Sequence, residues 1–159
     1  MGRRSPNAKP VIRVSEVGRA VSYRNSAHES HWQIPLDHVV LFAEYTTDEG
    51  PLVDDYFLVF VTKVSDTPQF VTASFYSEGL DDVLTHLAAF WNSEIQLTLQ
   101  GSTDWASRIV WPANLAGHEY FECKEVQPGT FFQRLRKLVL GPSREYVPCQ
   151  AVRSYLASS

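Results

Sequence analysis

From His38 to Lys63 the chain reads HVVLFAEYTTDEGPLVDDYFLVFVTK, two apolar runs divided by an acidic turn. At a period of two, Val39, Leu41, Ala43 and Tyr45 fall on one face of the first run, with Val40 and Phe42 on the other. In the second run Phe57, Val59 and Val61 share one face, and Tyr56, Leu58 and Phe60 share the other. An antiparallel strand with one wet face alternates apolar and polar positions. These runs do not, so the pattern predicts a hairpin covered on both faces and central in a sheet. The residues are mostly β-branched or aromatic, as strands prefer. Between the runs, Thr46 to Pro51 supplies turn chemistry, with Gly50 for positive φ and Pro51 to end pairing.

On the N-terminal side the alternation is cleaner. Ile12 and Val14 alternate with Arg13 and Ser15, and after Gly18, Val21 and Tyr23 alternate with Ser22 and Arg24, which predicts strand, turn and strand. Asn25 to Ser30 is a polar loop, and Trp32, Ile34 and Leu36 lead into the hairpin, with Pro35 limiting pairing. A further strand is predicted over Phe70 to Tyr76. The period then changes. Leu80, Val83, Leu84, Leu87 and Trp91 form the apolar stripe of a helix over residues 78–91, with Ser77 as its cap, Asp81 and Asp82 at its positive end, and Asn92-Ser93 as its stop. Ile95, Leu97 and Leu99 alternate with Gln96 and Thr98 as a strand with one wet face. Weaker strands are read at Arg108 to Trp111 and Glu119 to Cys123. Pro128-Gly129-Thr130 opens a second principal helix with Phe131, Leu135 and Leu138 as its stripe, which Gly141-Pro142 ends. Val152, Tyr155 and Leu156 mark a short last helix.

Together these elements define an α+β class: one curved, mainly antiparallel sheet of about six to eight strands with two principal helices packed on it. Residues 1–10 read as a disordered basic tail and residues 11–159 as a single domain, a length that suits one core. Apolar content of 44% and charged content of 20% are ordinary for a globular fold. No apolar segment follows the basic start, so the expected location is cytoplasmic, with no transmembrane segment. Cys123 and Cys149 form no C-x-x-C pair and are expected as buried free thiols.

Charge is segregated. Residues 1–36 carry net +4, residues 37–94 net −10 and residues 95–159 net +2. Such asymmetry can mark a partner surface or an internal pairing of basic and acidic parts; the plainer reading is acids on solvated loops and helix starts. The asymmetry leads to the expectation of a protein partner or self-pairing as a homodimer, basic surface to acidic surface. A chain of net −4 lacks the electrostatic footprint of a nucleic-acid binder.

Motifs of catalysis are absent. The chain has no G-x-S-x-G, no P-loop and no G-x-G-x-x-G among its eight glycines, so no catalytic residue and no cofactor is assigned. His28-Glu29-Ser30-His31 is one residue short of the zinc-protease spacing and lies in a loop. Asp48, Glu49, Asp54 and Asp55 cluster at a turn without the alternation of a calcium loop. No metal site is assigned to either. Trp105, Arg108 and Trp111 form W-x-x-R-x-x-W, the candidate binding residues. An Arg held between two indoles would make a cation–π platform, although in a regular strand Trp105 and Trp111 share one face and Arg108 takes the other.

Trp32-x-Ile34-Pro35-Leu36-x-x-Val39-Val40 resembles the I-P-L-x-x-I segment that enters a long strand in bacterial pleckstrin-homology-like domains. The resemblance covers residues 30–90 and implies, as an alternative architecture, a β-barrel or sandwich closed by one helix, and with it a surface-binding function. No functional residue is carried over. The leading expectation is a non-catalytic binding or protein-interaction module. The alternative is a small-molecule-binding protein or enzyme with a pocket between sheet and helix.

Overall fold

The structure, a computed structural model, describes residues 9–27, 29–48, 54–125 and 144–159. It is α+β: nine strands in antiparallel sheets and two helices among the described residues, which form no closed barrel. Its contacts divide the chain into two compact units, residues 1–118 and 119–159.

In the first unit, β1 (Val11–Val14), β2 (Ala20–Asn25) and β3 (Ser30–Pro35) make a three-stranded meander. The hairpin read from the sequence is β4 (Val39–Thr46) and β5 (Tyr56–Val64). It occupies the centre of a four-stranded sheet in the order β6-β5-β4-β7, with β6 at Thr67–Ser74 and β7 at Ala106–Trp111. The strands are thus shared among separate sheets. The break falls at Pro35, where β3 ends in a 3-10 turn over Leu36–His38. Proline has no N–H to continue a ladder.

Both faces of the hairpin are covered. Phe42, Leu58 and Phe60 join a core with Ile12, Val21, Ile34 and Leu87. On the opposite face Leu41, Ala43, Val61 and Ile109 are fully buried.

Helix α1 (Leu80–Phe90) buries Leu80, Val83 and Leu87, with Leu84 half-buried. Its N-cap is Gly79 rather than Ser77. The Ser77 hydroxyl is turned back to donate to the Ser74 carbonyl at 2.5 Å. Gly79 has φ +87°, and a Cβ there would lie 2.4 Å from the Ile12 carbonyl oxygen. Only glycine meets both conditions. That close approach is fixed by β1: the Ile12 N–H donates to Glu78 O at 2.9 Å and the Glu78 N–H to Pro10 O at 2.8 Å. Asn92, with φ +45°, ends the helix, as its position predicted.

Residues 95–99 do not form the expected strand. Ile95, Leu97 and Leu99 are half-buried and Gln96 and Thr98 exposed, so the alternation is real. Two backbone donors of this stretch, the N–H groups of Thr98 and Leu99, go instead to the Glu44 side chain.

In the second unit β8 (Phe121–Glu125) pairs with β9 (Arg144–Pro148), and α2 (Gln150–Ser158) buries Val152 and Leu156. The helix read over Phe131 to Val139 lies outside the described residues.

Candidate functional site

The apolar run of β4 contains one charge, Glu44, and its side chain is wholly buried. An isolated carboxylate in an apolar interior is costly, so it must be paired and hydrogen-bonded. The fold supplies five donors. Across the hairpin, the Tyr56 hydroxyl donates to Oε2. From the other neighbouring strand, Arg108 stands opposite Glu44 in register, and its Nη1 lies 3.3 Å from Oε1. The Thr98 N–H donates at 3.0 Å, its hydroxyl at 3.3 Å and the Leu99 N–H at 3.4 Å. Arg108 also donates to Gln96 O at 2.9 Å. The segment at 94–99 is therefore clamped onto the sheet by an ion pair in place of a ladder, which explains why an alternating sequence forms no strand. Burial, then the bond to Glu44, pushes the Tyr56 phenol well above the ordinary tyrosine range. Every polar group here is engaged, and Tyr56 is held protonated.

The three residues of W-x-x-R-x-x-W are not brought together. Phe42 pairs with Trp111 but Ala43 pairs with Ile109, so Val110 is an extra residue in β7. This bulge resets the alternation that a regular strand would keep. Arg108 and Trp111 consequently share a face with Glu44 and Phe42, and Trp105 takes the other. Trp111 stacks on Trp91 at 4.5 Å. Trp105 lies parallel to Tyr45 at 6.4 Å and donates its indole N–H to Asp48 at 2.8 Å. The guanidinium of Arg108 is committed to Glu44 and Gln96 instead of an indole face.

Asp48 and Asp55 of the acidic turn are hydrogen-bond acceptors, Asp55 receiving the Tyr76 hydroxyl at 2.6 Å. Glu49 and His28 lie outside the described residues. His31 is on β3, in register with Arg24. Cys149 is a free, half-buried thiol whose Sγ donates to Glu119 O at 3.0 Å. Cys123 is in β8, with its side chain outside those described.

A different surface emerges from the N-terminal meander. Ile12, Val21, Tyr23 and Ile34 point into the core. The residues between them line the outer face. Register sets them in two adjacent rows across three strands: Val11, Arg24 and His31 in one, Arg13, Ser22 and Gln33 in the next. Together with parts of Tyr23 and Trp32 they line a groove of about 430 Å³. Arg13, Arg24, His31 and Gln33 are exposed. Among the described residues, no ion pair or hydrogen bond engages the side chain of Arg13, Arg24 or His31. A second groove on the α1 side, of about 410 Å³, is lined by Glu78 and Asp82 together with Arg13.

No family model, curated protein or solved structure matches this chain.

Sequence reasoning missed Glu44 and Tyr56. Part of the signal was present: one carboxylate within a run otherwise patterned for burial on both faces demands a cation and donors, although nothing in the sequence singled out Arg108, 64 residues away.

Proposed function

We propose that this chain is a non-catalytic protein-interaction domain that docks an acidic segment of a partner protein on the outer face of β1-β2-β3. The observation that carries the reading is the groove in which Arg13 and Arg24 stand exposed and without ion pairs among the described residues. Like charges on neighbouring strands repel, and an incoming anion would relieve that repulsion. The contrast with the ionic cluster around Glu44 supports a binding role: its carboxylate and phenol are held by one another, with Glu44 shut off from solvent. Nucleic acid and anionic bilayers fit less well as partners. Both present extended negative surfaces, which the net −10 of residues 37–94 would repel. A short acidic peptide meets the groove alone.

No helix among the described residues is long and apolar enough to cross a membrane. The free thiol of Cys149 supports a reducing, cytoplasmic setting.

The test is fluorescence anisotropy with a labelled eight-residue glutamate peptide and a matched serine peptide. We expect saturable binding of the first only, weakened by salt and lost in the double variant Arg13→Ser, Arg24→Ser. Equal binding by wild type and double variant would refute the assignment. Sedimentation of the chain alone at low and high salt separates a hetero-partner from a second copy: a salt-sensitive dimer lost in the same variant would make the partner another molecule of this chain.

A further inference from the structure

We infer that the groove on the outer face of β1-β2-β3 recognises a phosphorylated side chain within its partner segment. This rests on the docking surface proposed above and specifies what occupies it.

The inference comes from stoichiometry and geometry. The two rows are Val11-Arg24-His31 and Arg13-Ser22-Gln33, directly opposed strand to strand. Arg13 and Arg24 are therefore diagonal neighbours on β1 and β2. Residues so placed lie roughly 7–8 Å apart at the backbone, within reach of one another through long side chains. Two guanidiniums can thus converge on one group from adjacent strands. Every polar side chain in the two rows can donate a hydrogen bond: two guanidiniums, an imidazole, a hydroxyl and a carboxamide. None is a carboxylate.

A single glutamate offers one charge and two oxygens, which one guanidinium satisfies bidentately. It would leave the second Arg and its neighbouring donors unmatched. A phosphomonoester carries a charge of about −1.5 to −2 and three acceptor oxygens, and Arg clusters are the usual means of recognising it. The donor set matches the second ligand in both charge and number.

Position within the groove follows from its surroundings. Glu78 and Asp82 border Arg13 on the α1 side. They would repel an anion there and shift it toward Arg24, which His31 flanks on β3. Arg24 is therefore the principal contact and Arg13 the auxiliary one. The segment would lie along the strands, with Val11 as an apolar contact.

The experiment compares four probes on the full chain: a phosphoserine peptide flanked by glutamates, the same peptide with glutamate in place of phosphoserine, inorganic phosphate, and vesicles containing anionic lipid. We expect the phosphopeptide to bind at least ~10-fold tighter than its glutamate counterpart, which corresponds to about 1.4 kcal/mol. Arg24→Lys keeps the charge but removes the planar fork. It should abolish the phosphopeptide preference, and Arg13→Lys should reduce it less. Circular dichroism of both variants establishes that they fold. Equal affinity for the two peptides would overturn the phosphate inference while leaving the acidic-segment reading standing. Failure of both peptides would overturn both. Inorganic phosphate competing at the concentration of the phosphopeptide would reassign the site to a free anion, and vesicle binding in preference to peptides would reassign the surface to a membrane.

Discussion

Replacing Glu44 with glutamine should detach the segment at 94–99 from the sheet and weaken the whole first unit. The carboxylate is 0% exposed and is engaged by Tyr56, by the Thr98 N–H and hydroxyl, by the Leu99 N–H and by Arg108. A hydrogen bond to a charged group contributes about 1.5–3 kcal/mol, and removing one member of a buried ion pair costs about 3–5 kcal/mol. Arg108 is 26% exposed and keeps Gln96 O as an acceptor, so water recovers part of its share. Glutamine retains one acceptor oxygen but turns an amide toward donors. The expected net loss is roughly 2–4 kcal/mol, or roughly 4–16 °C in Tm for a chain of this size. Urea unfolding followed by circular dichroism should show a lower midpoint with unchanged slope. Hydrogen exchange should show the Thr98 and Leu99 amides losing protection before the β4 and β5 amides. A double-mutant cycle with Arg108→Met should give a coupling of about 0.5–3 kcal/mol. A loss below ~1 kcal/mol with Thr98 still protected would refute the reasoning, because the segment would then be held by its apolar contacts alone.

Leu87→Ala removes a fully buried side chain from the stripe of α1 and should cost about 2–5 kcal/mol by chemical denaturation; under ~1 kcal/mol, the stripe would not be packed as described. The Tyr76 phenol is pushed up to about 12, chiefly by donating to Asp55 and secondarily by burial. A folded value above the unfolded value of about 10 means that this bond contributes fully below pH ~10 and is lost as pH rises toward 12. Tyr76→Phe should flatten the stability profile over that window, and an unchanged profile would place the effect elsewhere.

Much of the fold was legible because burial periodicity is local. The two-sided hairpin, the N-terminal meander and the stripe of α1 all follow from residue spacing. What was not legible depended on partners distant in sequence. Ser77 has the chemistry of a cap, yet the close approach of Ile12 O moves the helix start to Gly79. Residues 95–99 have the alternation of a strand, yet the Thr98 and Leu99 N–H groups are claimed by a carboxylate more than fifty residues away. The W-x-x-R-x-x-W spacing is periodic, yet one bulged residue at Val110 reverses which side chains share a face. β9 carries Arg144, Glu145 and Pro148 within five residues, too mixed a pattern to read as a strand without β8 beside it. The outer face of the meander was implicit in the alternation of Ile12 with Arg13 and of Tyr23 with Arg24. The register that lines up those cations was not.

The segregated charge of the sequence takes on a different meaning in the folded chain. Of the eleven acids in residues 37–94, Glu44 is held by Arg108 and Tyr56, Asp37 by Arg19 at 2.5 Å, Asp48 by Trp105 and Asp55 by Tyr76. The side chains of these four are occupied with fixing loops and strand ends of their own chain. Of the cations of the meander, Arg13 and Arg24 have no such task among the described residues. Arg13 and Arg24 share one face without a carboxylate between them, a placement that adds repulsion and no packing. Basic-to-acidic pairing of two copies would have to draw on the acids outside this set, such as Asp66, Glu78, Asp81 and Asp82, which are exposed. The net −10 of residues 37–94 thus divides into acids that fix their own chain and acids that remain at the surface, and sedimentation at low and high salt decides whether the meander takes a second copy or a partner that brings its own negative charge.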